Sequence, residues 1–207
     1  MWWSFDMLVI GITGPTGSGK TALLERIAAR GGMAIDCDAL YYALLRTDAA
    51  LRAALEGAFG NVFLPDGTLD RKTLGALVFS DEAALARLNE IVFFHVGRAV
   101  QERIDAARAA GCRLAGVDAI NLLESGLAEL CGVTVAVTAP EQVRLARITA
   151  RDHLTRQYAH SRIRAQKSAA YYEARCQYAI TNDCASREEF LRRADELLET
   201  IMKENAS

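Results

Sequence analysis

The chain has 207 residues, of which 51% are hydrophobic, and this is enough to fill the core of one α/β domain of ordinary size. A formal net charge of −2 argues against nucleic acid or an anionic membrane as the partner, because both favour a clustered basic excess. The five cysteines are odd in number and never form Cys-x-x-Cys, so the sequence indicates neither a disulfide framework nor a zinc site.

The N-terminal residues 1–6 lack a basic region, and the apolar run behind them is short, so we expect no signal peptide. The sequence also lacks an apolar run of about 18 residues, the length that a membrane-spanning helix requires. We therefore expect a cytoplasmic protein with reduced thiols and a small-molecule partner, as a monomer or small homo-oligomer.

The apolar run 7–12 predicts a strand, and the glycine-rich stretch behind it leads into a helix-like run from Ala22. This stretch fits Gly-x-x-x-x-Gly-Lys-[Ser/Thr], the phosphate-binding P-loop, and it has the strand-to-helix context of that motif. We expect Lys20 to reach the β- and γ-phosphates of ATP and the Thr21 hydroxyl to hold Mg²⁺. The alternative, a chance glycine-rich turn, requires four fixed positions to coincide. The predicted phosphate-binding residues are Gly14, Thr16, Gly17, Ser18, Gly19, Lys20, Thr21 and Ala22.

A short apolar run, 33–35, predicts a second strand, and two acidic residues, Asp36 and Asp38, follow at its carboxyl end. Ligands bind at that end of the strands in open α/β sheets. Asp38 also precedes an apolar helical pattern, so capping of the next helix is the alternative. Its place one βα unit after the P-loop favours a role in chemistry.

The region from Asp48 to about residue 110 has helical patterns and no strand pattern. Asp48 is a predicted helix cap, and 60–68 is a predicted turn. A helix opened by 69–71 and a long helix over about 80–110 follow. We therefore predict a helical insertion between the second and third strands.

Three further strands are predicted over 114–117, 133–137 and 179–181. The first ends in Asp118, where P-loop proteins carry an acid that supports Mg²⁺, although a loop-capping aspartate is equally consistent. Thr138 and Ser186 each begin a predicted capping box. Strands that alternate with helices predict a parallel sheet covered on both faces.

A cationic cluster lies between residues 144 and 164, and its first three members, spaced by three and four, share one helix face. Such a row is usually a solvated face. The alternative is a lid over ATP, in which an arginine neutralises charge on the transferring phosphoryl group. The members are Arg144, Arg147, Arg151, Arg156, Arg162 and Arg164.

From Val9 to about Asp183, the order of these motifs resembles the dephospho-CoA kinase family. The shared features are the P-loop, Asp-x-Asp, Asp-Gly-x-Leu-Asp-Arg, Leu-Asn-x-Ile, Asp-x-x-x-Leu-x-Glu-x-Gly, Arg-Ile-x-x-Gln and Asn-Asp. The resemblance implies transfer of the ATP γ-phosphoryl group to the 3′-hydroxyl of dephospho-CoA, the last step of coenzyme A biosynthesis. It also implies a three-layer α/β/α P-loop NTPase fold with a five-stranded parallel sheet.

The expected organisation is a single kinase domain, 1–207, with a helical substrate-binding insertion at about 60–110 and a helical lid at about 144–168. Its core comprises about 7–58, 112–140 and 178–205.

The resemblance implies that Asp38, Lys20 and Arg151 are catalytic residues, with Asp38 as the general base. Arg147 and Asn182 are implied at the nucleotide, the latter near adenine. Thr21 and Asp118 are the residues expected to bind Mg²⁺. The residues implied at the acceptor substrate are Asp36, Asp38, Arg71, His95, Glu124 and Arg162.

The chain departs from the family's motifs at three places. The family's His-Pro is replaced by His95-Val96, and its Pro-Leu-Leu-Phe-Glu is replaced by Ile-Asn-Leu-Leu-Glu at 120–124. Its Asn-Asp-Gly is replaced by Asn-Asp-Cys at 182–184. These changes affect backbone shape and remove no reacting group. For His95, the alternative to substrate binding is a ring that is merely packed against its helical neighbours. Two alternative functions are a kinase for another small acceptor, such as a nucleotide, and an ATP-binding regulatory protein without transferase activity.

Overall fold

The computed structural model describes residues 7–205, so the expectation of no signal peptide at 1–6 lies outside the described residues. The chain forms two compact units. The sheet unit combines the residues up to Asp36 with those from Ile104 onward, and the helical unit is Cys37–Arg103.

The sheet has five strands, and every neighbouring pair is parallel, in the order β2-β3-β1-β4-β5. Strands buried on both faces suit the continuous apolar runs of the sequence. The predicted five-stranded parallel α/β fold is therefore confirmed. The strands are β1 (Leu8–Thr13), β2 (Met33–Asp36), β3 (Leu114–Asp118), β4 (Val133–Thr138) and β5 (Tyr178–Thr181).

Helices connect these strands and form the rest of the fold. In the part of the chain that the structure describes, the α-helices are α1 (Lys20–Ala29), α2 (Cys37–Thr47), α3 (Ala49–Phe59), α4 (Arg71–Val78), α5 (Glu82–Ala109), α6 (Glu141–Asp152), α7 (Arg156–Arg164), α8 (Ala169–Glu173) and α9 (Arg187–Glu204).

The core of the sheet unit lies where α1 and α9 pack on the sheet. Ile12 of β1, Leu23 and Ile27 of α1 and Leu198 of α9 belong to one cluster and are fully buried. Each contributes about 1.5–3 kcal/mol through burial of its side chain. This core fixes β1 and α1, and so holds both ends of the loop between them.

The helical unit has its own core, which includes Leu51, Leu55 and Leu74. The predicted cap at Asp48 is confirmed, because its Oδ1 accepts hydrogen bonds from the N–H groups of Ala50 (2.9 Å) and Leu51 (3.0 Å). All residues of this unit are described, and its only β pairing is an isolated bridge at the predicted turn. The helical insertion is therefore observed.

The capping box predicted at Thr138 is wrong. Thr138 ends β4, and its hydroxyl donates to Glu173 Oε1 at 2.8 Å, while α6 starts only after Pro140. The β-branched threonine continues the strand, which overrides the local capping signal. The box at Ser186 is confirmed at its first residue, whose hydroxyl accepts the Glu189 N–H at 3.1 Å.

Candidate active site

The P-loop joins β1 to α1, and its shape depends on glycines in the left-handed region. Gly14 and Gly17 have φ angles of 136° and 81°, which residues with side chains rarely adopt. Lys20 is the first residue of α1, and its Nζ donates to the Gly14 carbonyl at 3.0 Å. The loop therefore holds the ammonium group at its own backbone.

Ser18 is fully buried within this loop, and its hydroxyl has no hydrogen-bond partner among the described residues. A buried polar group without a partner is costly, and one at this position indicates a site that receives a polar ligand. The loop amides and the N-terminus of α1 provide matching donors for an anion.

Replacing Gly14 with alanine is expected to destabilise the protein by ~2 kcal/mol or more, since the chain must shift or remain strained. An added Cβ would lie 2.0 Å from the Val137 carbonyl oxygen. In the matched change Gly57→Ala, within α3, the Cβ meets nothing within 4 Å. That variant should gain ~0.5–1 kcal/mol. Urea unfolding followed by circular dichroism measures both, and equal effects would contradict the steric argument.

Two arginines of α6 bind the carbonyl side of the P-loop. Arg144 Nε donates to the Thr16 carbonyl at 2.9 Å. Arg147 Nη1 donates to the carbonyls of Gly17 (3.2 Å) and Ser18 (3.3 Å). Arg144 is only 6% exposed, so the solvated-face interpretation is wrong for this residue. These arginine bonds use carbonyl groups of the loop and occupy none of its N–H groups.

Asn182, which directly follows β5, bridges Arg147 and the loop. Its Nδ2 donates to the Ser18 carbonyl at 2.9 Å, and its Oδ1 accepts from Arg147 Nη2 at 3.0 Å. These two bonds fix the orientation of the amide. The structure thus brings both Arg147 and Asn182 to the P-loop.

Gln166 makes two hydrogen bonds to the P-loop, both to Thr16. The sequence analysis included Gln166 in the Arg-Ile-x-x-Gln motif but did not predict it as a site residue. Its Oε1 accepts the Thr16 N–H at 3.0 Å, and its Nε2 donates to Thr16 Oγ1 at 2.6 Å. Arg144 Nη2 donates to the same Oε1 at 2.9 Å. We call Thr16, Arg144 and Gln166 the Thr16 clamp. The signals in the sequence that could have indicated this clamp are the arginine row and the Arg-Ile-x-x-Gln motif.

Arg151 and Arg162 lie in the same segment but share a different partner, Asp152. Arg151 Nε and Arg162 Nη1 donate to its carboxylate at 2.6 and 2.9 Å. The Arg151 hydrogen bond, with further support from Arg162, holds the pKa of Asp152 below its usual range. The structure therefore places these two predicted site arginines on an acid of their own segment.

The acids at the strand ends also come together. Asp36 and Asp118 are register partners at the carboxyl ends of β2 and β3, and Asp118 is buried. Thr21 is exposed in the first turn of α1. Among residues 7–205, no group of three or more His, Cys, Asp or Glu is arranged for a metal ion. Carboxylate and hydroxyl oxygens are donors that Mg²⁺ prefers, and for Mg²⁺ on a nucleotide the phosphates and water supply most of the ligands.

Three predicted substrate residues lie in the helical unit. Asp38 is exposed in the first turn of α2, so it is within the helix and does not cap it. The Arg71 guanidinium lies 4.6 Å from the Tyr42 ring centroid. His95 is 6% exposed, and its Nδ1 lies 2.9 Å from Asp48 Oδ2. The His95 ring is therefore packed and held by the carboxylate that caps α3.

Glu124 lies in the turn after β3 and is exposed. It pairs with the Tyr171 hydroxyl, and this hydrogen bond raises the pKa of Tyr171. The bond ties the β3 turn to α8, the helix that follows Gln166. Glu124 is thus linked to the segment that clamps the P-loop.

The described cysteines form no disulfide bond with one another. Among the described residues, no helix has both the length and the apolarity needed to cross a membrane.

The strand, glycine-rich loop and helix, with Lys20 opening the helix and five parallel strands behind it, define an α/β protein of the P-loop kinase class. The family model for dephospho-CoA kinase matches residues 8–188. The chain belongs to the dephospho-CoA kinase family.

Individual relatives agree with this assignment. The chain is 35% identical over 198 residues to the dephospho-CoA kinase of Thermobifida fusca, covering 95% of this chain and 98% of the relative. It is 37% identical over 193 residues to that of Anaeromyxobacter dehalogenans, covering 93% and 91%. A crystal structure of a Thermus thermophilus protein superposes with a TM-score of 0.78 at 28% identity, covering 96% and 98% of the two chains.

Proposed function

We propose that the protein transfers the γ-phosphoryl group of ATP to the 3′-hydroxyl of dephospho-CoA. The observation that carries this proposal is the family match over residues 8–188, which spans the P-loop, the whole helical unit and the lid segment, residues 144–168. In the reaction, a bond forms between the 3′-oxygen and the γ-phosphorus, and the bond from that phosphorus to the β-phosphate oxygen breaks. ADP and coenzyme A are the products.

The P-loop is the proposed donor site. Its N–H groups and the N-terminus of α1 surround the β-phosphate, and Lys20 leaves the Gly14 carbonyl to bind the β- and γ-phosphates. Arg147 and Asn182 hold the loop in this shape and border the nucleotide. Most of the catalytic effect then comes from positioning and charge neutralisation.

Mg²⁺ fits the oxygen donors at the strand ends, and we assign its binding to the Thr21 hydroxyl and Asp118. When bound, the ion neutralises charge on the phosphate oxygens. The remaining donor contacts come from Lys20 and the loop amides.

On the acceptor side, we assign Asp38 as the general base that accepts the proton of the 3′-hydroxyl during attack. Its place two residues after the end of β2, and its exposed carboxylate, support this role. Asp36 would support it or bind the ribose. The further proposed acceptor-binding residues are Arg71, His95, Glu124 and Arg162.

Arg151 is the proposed cation at the transferring phosphoryl group. In the structure it is paired with Asp152, so this role requires Arg151 to exchange that carboxylate for phosphate oxygens. Such exchanges accompany lid closure, which also keeps water away from the reacting group. A single kinase domain with a moving lid, in the cytoplasm and as a monomer or small homo-oligomer, completes the proposal.

An acceptor panel tests the reaction. Purified protein with ATP and Mg²⁺ should release ADP at least tenfold faster with dephospho-CoA than with AMP, adenosine or no acceptor, a preference of ~1.4 kcal/mol or more. Chromatography of the products should show coenzyme A. Preference for AMP would identify a kinase for another acceptor. ATP binding without turnover on any acceptor would identify a regulatory role.

A further inference from the structure

The Thr16 clamp uses every polar group of Thr16. The N–H, the carbonyl and the hydroxyl each bond to Gln166 or Arg144, at 3.0, 2.9 and 2.6 Å respectively. Gln166 directly follows α7 and its cap residue, so the clamp fastens the end of this helix to the P-loop. Three contacts on one residue fix its peptide planes, and through them the direction of the neighbouring N–H groups.

The clamp contains a buried charge whose hydrogen-bond partners are neutral, although the Glu141 carboxylate acts on it electrostatically. Arg144 is 6% exposed, and its hydrogen bonds reach the Thr16 carbonyl and the Gln166 amide oxygen. Within the described residues it forms no ion pair. Buried cations are normally paired with carboxylates, because an uncompensated charge is costly away from water. Burial accordingly lowers the pKa of Arg144.

We infer that Gln166 is a positioning residue whose neutral amide fixes the P-loop at Thr16 while leaving the positive charge of Arg144 to act on a nucleoside triphosphate. The inference rests on the proposed function, from which it takes ATP as the donor. It deepens that proposal by explaining why an amide occupies position 166.

A glutamate at this position would preserve the geometry. One carboxylate oxygen would still accept from the Thr16 N–H and from Arg144, and the Thr16 hydroxyl would rotate to donate to the other. The electrostatics would change, because a close ion pair would cancel the Arg144 charge beside the loop. Substitution with glutamate therefore separates the hold on the loop from the charge presented to the nucleotide.

Gln166→Glu should weaken ATP binding by about tenfold or more, which is ~1.4 kcal/mol or more, without lowering Tm, since the added negative charge lies close to the phosphates. The loss should be smaller for ADP, which carries less charge. Calorimetric titration with each nucleotide, without acceptor, measures Kd, and thermal unfolding measures Tm. Gln157→Glu is the matched control, because Gln157 is exposed on α7 of the same segment. It should bind both nucleotides like the unaltered protein.

Gln166→Ala should lower Tm and weaken both nucleotides, because the Thr16 N–H and hydroxyl lose their partner. Compared with Gln166→Ala, Gln166→Glu should therefore restore Tm but not the Kd for ATP. A merely structural Gln166 predicts the opposite for glutamate, namely normal Kd once Tm is restored. ATP binding by Gln166→Glu that equals that of the unaltered protein would overturn the inference.

If Gln166→Glu does not fold, Arg144→Gln tests whether the charge of Arg144 contributes to ATP binding. Its ATP affinity should fall more than its ADP affinity, and equal losses would overturn the inference. These titrations need no acceptor, so failure of the acceptor panel leaves their outcome intact. Conversely, normal phosphorylation of dephospho-CoA with no charge effect would overturn the inference and leave the proposed function standing.

Discussion

Lys20→Ala is expected to reduce phosphoryl transfer by about 10³-fold or more, the scale seen when a preorganised charge or donor is removed from a reacting centre. Lys20 begins α1, and its Nζ is held at the Gly14 carbonyl, 3.0 Å away, which it leaves in the proposed reaction to bind the phosphates. Alanine removes the ammonium group and keeps the helix, because it has the highest helix propensity. Steady-state ADP release with saturating ATP and dephospho-CoA measures the loss.

Lys203→Ala is the matched control, because Lys203 is exposed in the last turn of α9. It removes the same charge and should leave the rate unchanged within about twofold, as exposed substitutions usually do. Circular dichroism should show intact folding for both variants. Normal turnover of Lys20→Ala would remove the P-loop lysine from the mechanism.

Asp38→Asn is expected to slow transfer by about 10²–10⁴-fold, the usual contribution of a general base. The amide is nearly the same size as the carboxylate but cannot accept the proton of the 3′-hydroxyl. ATP affinity should stay within about twofold, because the proposed donor contacts come from Lys20 and the loop. Single-turnover rates and the Kd for ATP, measured on the same preparation, separate the two effects.

The control for this change is Glu56→Gln, which neutralises an exposed acid on α3 in the same helical unit. Its transfer rate should equal that of the unaltered protein. A large loss of ATP affinity in Asp38→Asn would instead assign Asp38 to the metal or the nucleotide.

The sequence was most informative where one local pattern determines the structure. The P-loop, the cap at Asp48 and the acid at the end of β3 each depend on residues within a few positions, and the structure has all three. Thr138 failed as a cap because the neighbouring strand competes for it, and a local motif carries no information about Glu173, which lies 35 residues away.

Contacts between distant residues could not be predicted in this way. The arginine row indicated a shared helix face, but burial of Arg144 depends on Thr16, 128 residues earlier. Gln166 was visible as part of a motif, yet nothing in that motif identifies its partner. Similarly, His95 lies on a helical pattern, whereas its bond to Asp48 reflects the packing of α3 against α5. The roles of the predicted site residues stay predictions until the variants are measured.

The long-range contacts that hold the P-loop also have a consequence for synthesis of the chain on the ribosome. The P-loop emerges first, and the residues that bind its backbone include three that follow at separations of 128 (Arg144), 150 (Gln166) and 164 (Asn182) positions. A nascent chain that ends before Arg144 has the complete loop sequence without any of these three residues, and one that ends before Asn182 still lacks the last of them. We therefore expect nucleotide binding to become available only late in translation, so that ATP would stabilise the finished chain rather than its precursors.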